Sequence, residues 1–306
     1  MKKDIALMII GAQKAGTTSL NTYLSQHPRI YTHYTLEFGL FSNINDYNKG
    51  FKYWYNIAVK DKRKFSDQNL FFAKTVGLMY KKDLLLKLKE LNPDVKIIVI
   101  LRNPIERAYS AFWYCKKNGI EPYNDFNDAI FTNDPGRFAN ERYKPDCDYI
   151  GRSSYLPYLK EVYNIFSSKN IKLFLFEEMI TDLNKYLNEI ALFAGVENFE
   201  FNTSIKYNEG RQPKSKLLAK LLAPRKSSSL KHLIPAFYRT KLKQHLKKTN
   251  SKNGLPVEKK IMDENTRGYL KNIFSDDMNE IENLTKLPIK KYWQEFYINE
   301  QQVQVF

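Results

Sequence analysis

The sequence predicts an α/β fold with a central, mainly parallel sheet flanked by helices. Two apolar runs of strand length, "IALMIIGA" near the start and "VKIIVIL" further along, lack alternating polar residues. Such continuous runs are typical of strands that are covered on both faces. Amphipathic segments with helical spacing lie between and after them. The alternation of strand and helix therefore indicates parallel strands joined by helical crossovers.

Each element is indicated by its own pattern. The run "DIALMII" predicts a buried strand ending at Gly11, and "TSLNTYLSQH" predicts a helix after a short loop. Further helices are predicted in "KKDLLLKLKELNP", "IERAYSAFWYCKKNG", "SYLPYLKEVYNIF" and "LNKYLNEIALFAGV". The strands "VKIIVILRNP" and "IKLFLFEE" alternate with them, and "MDENTRGYLKNIFSDDMNEIENLTKL" predicts a terminal helix. We expect one domain over residues 1–306.

The bulk composition limits the class of protein. The 306 residues include 49 Lys and Arg against 33 Asp and Glu, a formal net charge of +16. Hydrophobic residues make up 43% of the chain, which supplies a core and excludes global disorder. No apolar run approaches the ~18 residues of a membrane span, so we expect a cytoplasmic protein. The positive charge favours anionic partners.

A basic segment follows residue 205 or thereabouts. Between Arg211 and Asn250 the chain has twelve Lys and Arg residues, no Asp or Glu, and leucines at helical spacing. We expect residues 211–260 to form a basic helical insertion or subdomain within the domain. Two interpretations stay open: a solvated basic face, or a surface for an acidic glycan or anionic lipid head groups, which would allow peripheral membrane contact.

The sequence gives no signal for a metal site. Cys115 and Cys147 are the only cysteines and do not have C-x-x-C spacing, and the four histidines form no H-x-x-x-H pair. We therefore expect two reduced thiols and no metal cofactor.

The stretch "GAQKAGTT" lies between the first predicted strand and helix. Gly11 and Gly16 have the spacing of the G-x-x-x-x-G-K-[ST] phosphate loop, but Thr17 replaces its lysine and Lys14 lies inside the loop. Such a loop directs backbone N–H groups and a helix N-terminus at an anion. The lost lysine argues against triphosphate chemistry. A single phosphate with a leaving group attached needs less positive charge.

Several motifs resemble those of sulfotransferases that use 3′-phosphoadenosine-5′-phosphosulfate (PAPS). "QKAGTTSL" resembles their 5′-phosphosulfate loop, and "LRNPIERAYSAFW" resembles their second PAPS element. Five further stretches resemble, in order, segments of the carbohydrate (heparan sulfate-type) branch: "LSQHPRI", "LEFGLF", "KTVGLMY", "YIGRSSYLPYL" and "YNEGRQPKS". Leu36 and Val76 depart from the lysine and proline usual there. The resemblance implies a P-loop-like three-layer fold, PAPS as donor and adenosine 3′,5′-bisphosphate (PAP) as product.

The resemblance also implies roles for individual residues. Glu37 would be the general base, with Lys74 near it and His33 as the rival base, since some branches use histidine. Lys14 would stabilise the bridging oxygen, and Arg102 and Ser110 would hold the 3′-phosphate. The residues expected to bind the donor are Gly11, Lys14, Ala15, Gly16, Thr17, Thr18, Ser19, Arg102, Ser110, Tyr155, Arg211 and Lys214.

We predict a sulfotransferase that moves a sulfuryl group to a hydroxyl or amine, with a carbohydrate as the expected acceptor. A small-molecule kinase on the same fold is one alternative, which Thr17 and the second PAPS element disfavour. The other is a basic protein that binds nucleic acid or a membrane surface. No aromatic–basic RNA motif of known type is present, so we expect no nucleic-acid partner.

Overall fold

The computed structural model describes residues 5–59, 69–132, 145–204 and 261–297. The chain divides into two compact units. The first comprises Met1–Pro104, Ser154–Asn208 and Lys271–Phe306, and the second comprises Ile105–Ser153 and Glu209–Leu270. The predicted basic segment 211–260 lies outside the described residues. The prediction of a single domain with a basic subdomain therefore stays a prediction.

Within the described residues, a five-stranded sheet forms the centre of the first unit. Its strands are β1 (Ile5–Gly11), β2 (Ile30–Thr32), β3 (Leu70–Lys74), β4 (Lys96–Leu101) and β5 (Ile171–Leu175), in the spatial order β2-β3-β1-β4-β5. Every pairing is parallel, so all carboxyl ends share one edge. β1 and β4 lie inside the sheet and are almost wholly buried, which explains their continuous apolar sequences.

Helices connect and flank the strands. They are α1 (Thr17–Leu24), α2 (Ile44–Tyr47), α3 (Phe51–Ala58), α4 (Lys82–Leu91), α5 (Pro104–Lys117), α6 (Phe126–Phe131), α7 (Leu156–Ile165), α8 (Phe176–Met179), α9 (Leu183–Ala194), α10 (Glu264–Thr285) and α11 (Ile289–Tyr292). Short 3₁₀ turns cover Gly39–Phe41, Leu78–Tyr80, Gly151–Ser153, Ser168–Asn170 and Gln294–Phe296. Among the described residues, no helix combines the length and hydropathy needed to cross a membrane.

Local sequence signals explain several helix ends. α4 ends at Leu91, just before the Asn92–Pro93 pair, because a proline disfavours helical backbone in the residue that precedes it. α7 has a proline in its first turn, where the missing N–H has no helical partner to lose. α9 begins after Asp182, whose side chain accepts a hydrogen bond from the Lys185 N–H.

The second unit has an aromatic core and a fully buried arginine. Phe112, Phe126 and Tyr149 pack with ring centroids 5.4 to 6.1 Å apart. Arg107 donates from Nε to Ser153 Oγ at 2.7 Å and from Nη2 to the Tyr149 carbonyl at 2.9 Å. These bonds hold the 3₁₀ turn Gly151–Ser153 to α5, because a buried guanidinium must find acceptors for its donors.

The structure confirms the predicted α/β fold with a parallel sheet flanked by helices. The strand predicted in "IKLFLFEE" is too long, because β5 ends at Leu175 and the next residues form α8. Glu177 and Glu178 fall in the first turn of α8, where the helix dipole favours acidic side chains. The sequence analysis assigned no strand to β2, which has three residues, or to β3, whose apolar run LFFA is shorter than the runs of β1 and β4.

Candidate active site

The glycine loop leads from β1 directly into α1, as the sequence predicts. Gly16 precedes α1 with a φ of 75°, and Lys14 also lies in the left-handed region with a φ of 73°. For a lysine this conformation costs about 1–2 kcal/mol, and such strain is typical of ligand-binding loops. The Ala12 N–H donates to the Ile100 carbonyl at 2.7 Å and ties the loop to β4. The loop is therefore held in a fixed shape at the carboxyl edge of the sheet.

Close neighbours leave room only for glycine at both ends of the loop. A Cβ added at Gly11 would overlap Met79 Sδ, and one at Gly16 would lie 2.8 Å from the Phe176 ring. The first turn of α1, which starts with Thr17, Thr18 and Ser19, has no acidic residue and no side-chain cap. This turn therefore offers a positive helix end and hydroxyl groups to an anion.

Arg102 follows β4 at the same edge of the sheet. Its Nη1 donates to the Lys14 carbonyl at 3.1 Å, and its guanidinium carbon lies 5.2 Å from the centroid of the Phe176 ring. The fully buried Tyr155 donates from its hydroxyl to the Arg102 carbonyl at 2.8 Å. The structure thus brings Arg102, Lys14 and Tyr155 together. Tyr155 holds the backbone of Arg102 in place, and its predicted role in lining the nucleotide stays a prediction.

Glu37 and Lys74 form an ion pair beside the loop. Lys74 Nζ lies 2.6 Å from Glu37 Oε1, and the Val76 N–H donates to Glu37 Oε2 at 2.9 Å. The side chain of Lys74 is 1% exposed and that of Glu37 is 32% exposed, so the carboxylate reaches solvent and the ammonium does not. Lys74 is opposite Ile9 of β1, and neighbouring strands lie about 4.8 Å apart. The pair therefore lies one strand away from the glycine loop.

The His33 ring supports this ion pair through the backbone of Lys74. His33 Nε2 accepts the Lys74 N–H at 3.0 Å, and Nδ1 lies 2.9 Å from the Thr35 carbonyl. These partners fit a neutral ring with its proton on Nδ1. Burial and the Lys74 ammonium lower the pKa of His33 from 6.5 to about 3, against the opposing effect of the Thr35 hydrogen bond. With both nitrogens engaged, the ring is poorly placed to take a proton from an acceptor, so this geometry favours Glu37 over His33 as the base.

The roles of the remaining predicted donor-binding residues are not tested by the described contacts. Ser110 lies on α5 in the second unit, and Arg211 and Lys214 lie outside the described residues. Their roles stay predictions. In the described ranges, no group of three or more His, Cys, Asp or Glu side chains is arranged to hold a metal ion.

Sequence reasoning missed Phe176 and Glu177, which follow β5. Phe176 packs against Gly16 and Arg102, and Glu177 Oε1 accepts the Asn103 N–H at 2.9 Å. Residues just beyond the carboxyl end of a parallel strand are candidates for such positions. Because "FEE" was interpreted as part of the strand, Phe176 and Glu177 were not recognised as residues that follow its carboxyl end.

Comparisons with known proteins point to one family. The family model of the sulfotransferase domain matches residues 4–282. The bifunctional heparan sulfate N-deacetylase/N-sulfotransferase 1 of Caenorhabditis briggsae is 26% identical over 216 residues, which is 67% of this chain and 24% of that protein. Its human counterpart is 34% identical over 112 residues, 35% of this chain and 12% of that protein. The chain thus spans a quarter or less of the length of these relatives.

A solved structure supports the same assignment. The crystal structure of a sulfotransferase from Alicyclobacillus acidocaldarius is 25% identical in sequence and superposes with a TM-score of 0.53. The superposition covers 71% of this chain and 90% of the bacterial protein. The similarity therefore includes nearly the whole of that smaller protein.

Proposed function

The chain belongs to the sulfotransferase domain family, and from this premise we propose that it transfers a sulfuryl group from PAPS to a hydroxyl or amine of a carbohydrate acceptor. The observation that carries the proposal is the position of the Glu37 carboxylate. Lys74 and the Val76 N–H hold it at the end of β3, the strand that pairs with β1, and β1 leads into a strained glycine loop that is suited to an anion.

The loop and the start of α1 suit the 5′ end of PAPS. Their backbone N–H groups, with the hydroxyls of Thr17, Thr18 and Ser19, would hold the 5′-phosphate and its sulfuryl group. Lys14 would neutralise the charge that develops on the bridging oxygen. The planar guanidinium of Arg102, with Ser110 as a second contact, would hold the 3′-phosphate. We propose that these groups act without a metal ion, because a sulfuryl group carries less charge than a γ-phosphate.

Glu37 would act as the general base. The acceptor oxygen or nitrogen forms a bond to sulfur while the bond from sulfur to the 5′-phosphate oxygen breaks, and PAP leaves. The acceptor proton passes to Glu37, whose side chain is reachable from solvent. Lys74 and Val76 fix the orientation of the carboxylate, so catalysis here depends mainly on placement and charge.

The acceptor class rests on the names of the relatives and on charge. The names of both relatives refer to heparan sulfate, and a net charge of +16 suits an anionic glycan. We extend the proposal to the basic residues 211–250 as an additional contact for such an acceptor. A cytoplasmic location and peripheral membrane contact also belong to the proposal.

Transfer of labelled sulfate from PAPS to a panel of oligosaccharides, lipids and phenols tests the reaction. We expect labelled oligosaccharides with the wild-type protein. Glu37→Gln should lower kcat by about 10²- to 10⁴-fold, the usual contribution of a general base, with the Kd for PAP unchanged. Glu90→Gln is the matched control, because its carboxylate forms an exposed ion pair with Lys87. Wild-type turnover by Glu37→Gln would remove Glu37 as the base.

Nucleotide binding separates the proposal from the kinase alternative. We expect PAP to bind in the absence of Mg²⁺, as measured by titration calorimetry. Mg²⁺-dependent binding of ATP without any binding of PAP would overturn the proposed function.

A further inference from the structure

Two carboxylates hold the residue that follows Arg102. Glu177 Oε1 accepts the Asn103 backbone N–H at 2.9 Å, and Glu177 Oε2 accepts the Trp293 Nε1–H at 3.1 Å. Glu295 Oε1 accepts an N–H of the Asn103 side chain at 2.7 Å. We call Glu177, Trp293 and Glu295 the clasp. It joins the end of β4 to α8 and to the segment that follows α11.

The clasp combines a buried indole and two half-buried carboxylates, and it holds a buried asparagine. Trp293 is 1% exposed and Asn103 is 7% exposed. Hydrogen bonds to a carboxylate are stronger than neutral ones, and shielding from water strengthens them further. Asn103 is covalently joined to Arg102, so a movement of the Asn103 backbone displaces the guanidinium as well. The clasp therefore controls the position of Arg102 without facing the anion itself.

We propose that Glu177 is a positioning residue for the 3′-phosphate subsite. Its carboxylate fixes the backbone of Arg102 and Asn103, and in this way sets the point at which the guanidinium meets the phosphate. The inference rests on the proposed function, in which Arg102 binds the 3′-phosphate of PAP. The hydrogen bonds of the clasp do not reach the glycine loop, which would hold the 5′-phosphate. The loop contacts Arg102 through the bond from Nη1 to the Lys14 carbonyl, but the Ala12 N–H holds the loop to β4 independently of the clasp. Loss of the clasp should therefore affect one phosphate and spare the other.

The test compares two nucleotides that differ only in the 3′-phosphate. Titration calorimetry gives the Kd for PAP and for adenosine 5′-monophosphate with the wild-type protein, Glu177→Gln and Trp293→Phe. Asn103 and Trp293 donate to different oxygens of Glu177, and Glu177→Gln turns one of these acceptors into an NH₂ donor, so one of the two bonds is lost. Glu178→Gln is the matched control. It removes the same charge from the next residue of α8, whose carboxylate interacts with Tyr186 and takes no part in the clasp.

We expect Glu177→Gln to weaken PAP binding by about tenfold, as small displacements of a binding group commonly do, and to change the Kd for adenosine 5′-monophosphate by less than about twofold. Trp293→Phe should also weaken PAP binding, by a smaller factor. It allows the test to be made even if Glu177→Gln does not fold. Glu178→Gln should leave both constants unchanged.

Two results would overturn the inference. Wild-type affinity for PAP in both clasp variants would show that Arg102 needs no such support. An equal loss for both nucleotides would show that the clasp has a merely structural role. If the wild-type protein binds neither nucleotide, the proposed function itself fails. This outcome differs from the two results that would overturn the role of the clasp.

Discussion

Replacement of His33 by glutamine should remove a specific sensitivity of the protein to acid. In the folded protein the ring is buried, and its Nε2 accepts the Lys74 N–H. The amide oxygen of a glutamine lies near the position of Nε2 and can accept the same hydrogen bond, but the amide does not titrate. The variant therefore keeps the support of the ion pair and loses only the proton-binding group and its contact with Thr35.

The magnitude follows from the pKa of His33 in the two states. The folded protein has a His33 pKa of about 3, lowered chiefly by burial, against 6.5 for the unfolded chain. As the pH falls below 6.5, the unfolded chain binds a proton that the folded protein does not, so stability is lost down to about pH 3. The loss is about 1.4 kcal/mol for each pH unit, hence about 2 kcal/mol at pH 5.

Urea unfolding at pH 7.5, 6.5, 5.5 and 5.0 measures this effect. Other titrating groups are the same in both proteins, so the difference in unfolding free energy between wild type and His33→Gln isolates the histidine. We expect this difference to be constant at pH 7.5 and above and to shift in favour of the variant by about 2 kcal/mol at pH 5. A difference that does not change with pH would refute the reasoning, because His33 would then titrate alike in both states.

Two other substitutions test the glycine loop and the ion pair. Gly16→Ala should weaken PAP binding by more than about tenfold and lower the Tm by several degrees, since it combines left-handed strain with a collision against Phe176. Gly195→Ala is the control, because Gly195 is also left-handed, with φ of 91° and ψ of 26°, and has nothing within 4 Å of the added Cβ, so it measures the strain alone. Equal losses of Tm in the two variants would contradict the predicted collision. Lys74→Met should leave the protein folded but lower its stability by about 1–3 kcal/mol in urea unfolding, because Glu37 loses its partner and keeps only the Val76 N–H and partial access to solvent. Initial rates of sulfate transfer should nevertheless fall about 100-fold, because Glu37 loses its orientation, and an unchanged kcat would contradict this role.

The sequence predicted the elements that have strong patterns. Continuous apolar runs predicted β1 and β4, which are buried on both faces, and helical spacing predicted α1, α4, α5, α7, α9 and α10, which are buried on one face. β2 and β3 have no such pattern, since each is short and acquires its place only by pairing with neighbours. The end of β5 was misplaced for a related reason: an apolar run gives no signal at the point where a strand turns into a helix.

The sequence by itself determined the glycine loop and the family. The spacing of Gly11 and Gly16, together with "LRNPIERAYS", depends on local backbone requirements that are visible along the chain. The resemblance already implied that Lys74 lies near Glu37. Only the tertiary structure decided that Lys74 is buried in an ion pair with it, that His33 accepts the Lys74 N–H, and that Glu177 holds the end of β4. These relations join residues on different strands and helices. The order of residues along the chain predicts the local conformation of each segment. Hydrogen bonds between segments depend on which strand ends the parallel sheet brings together at its carboxyl edge.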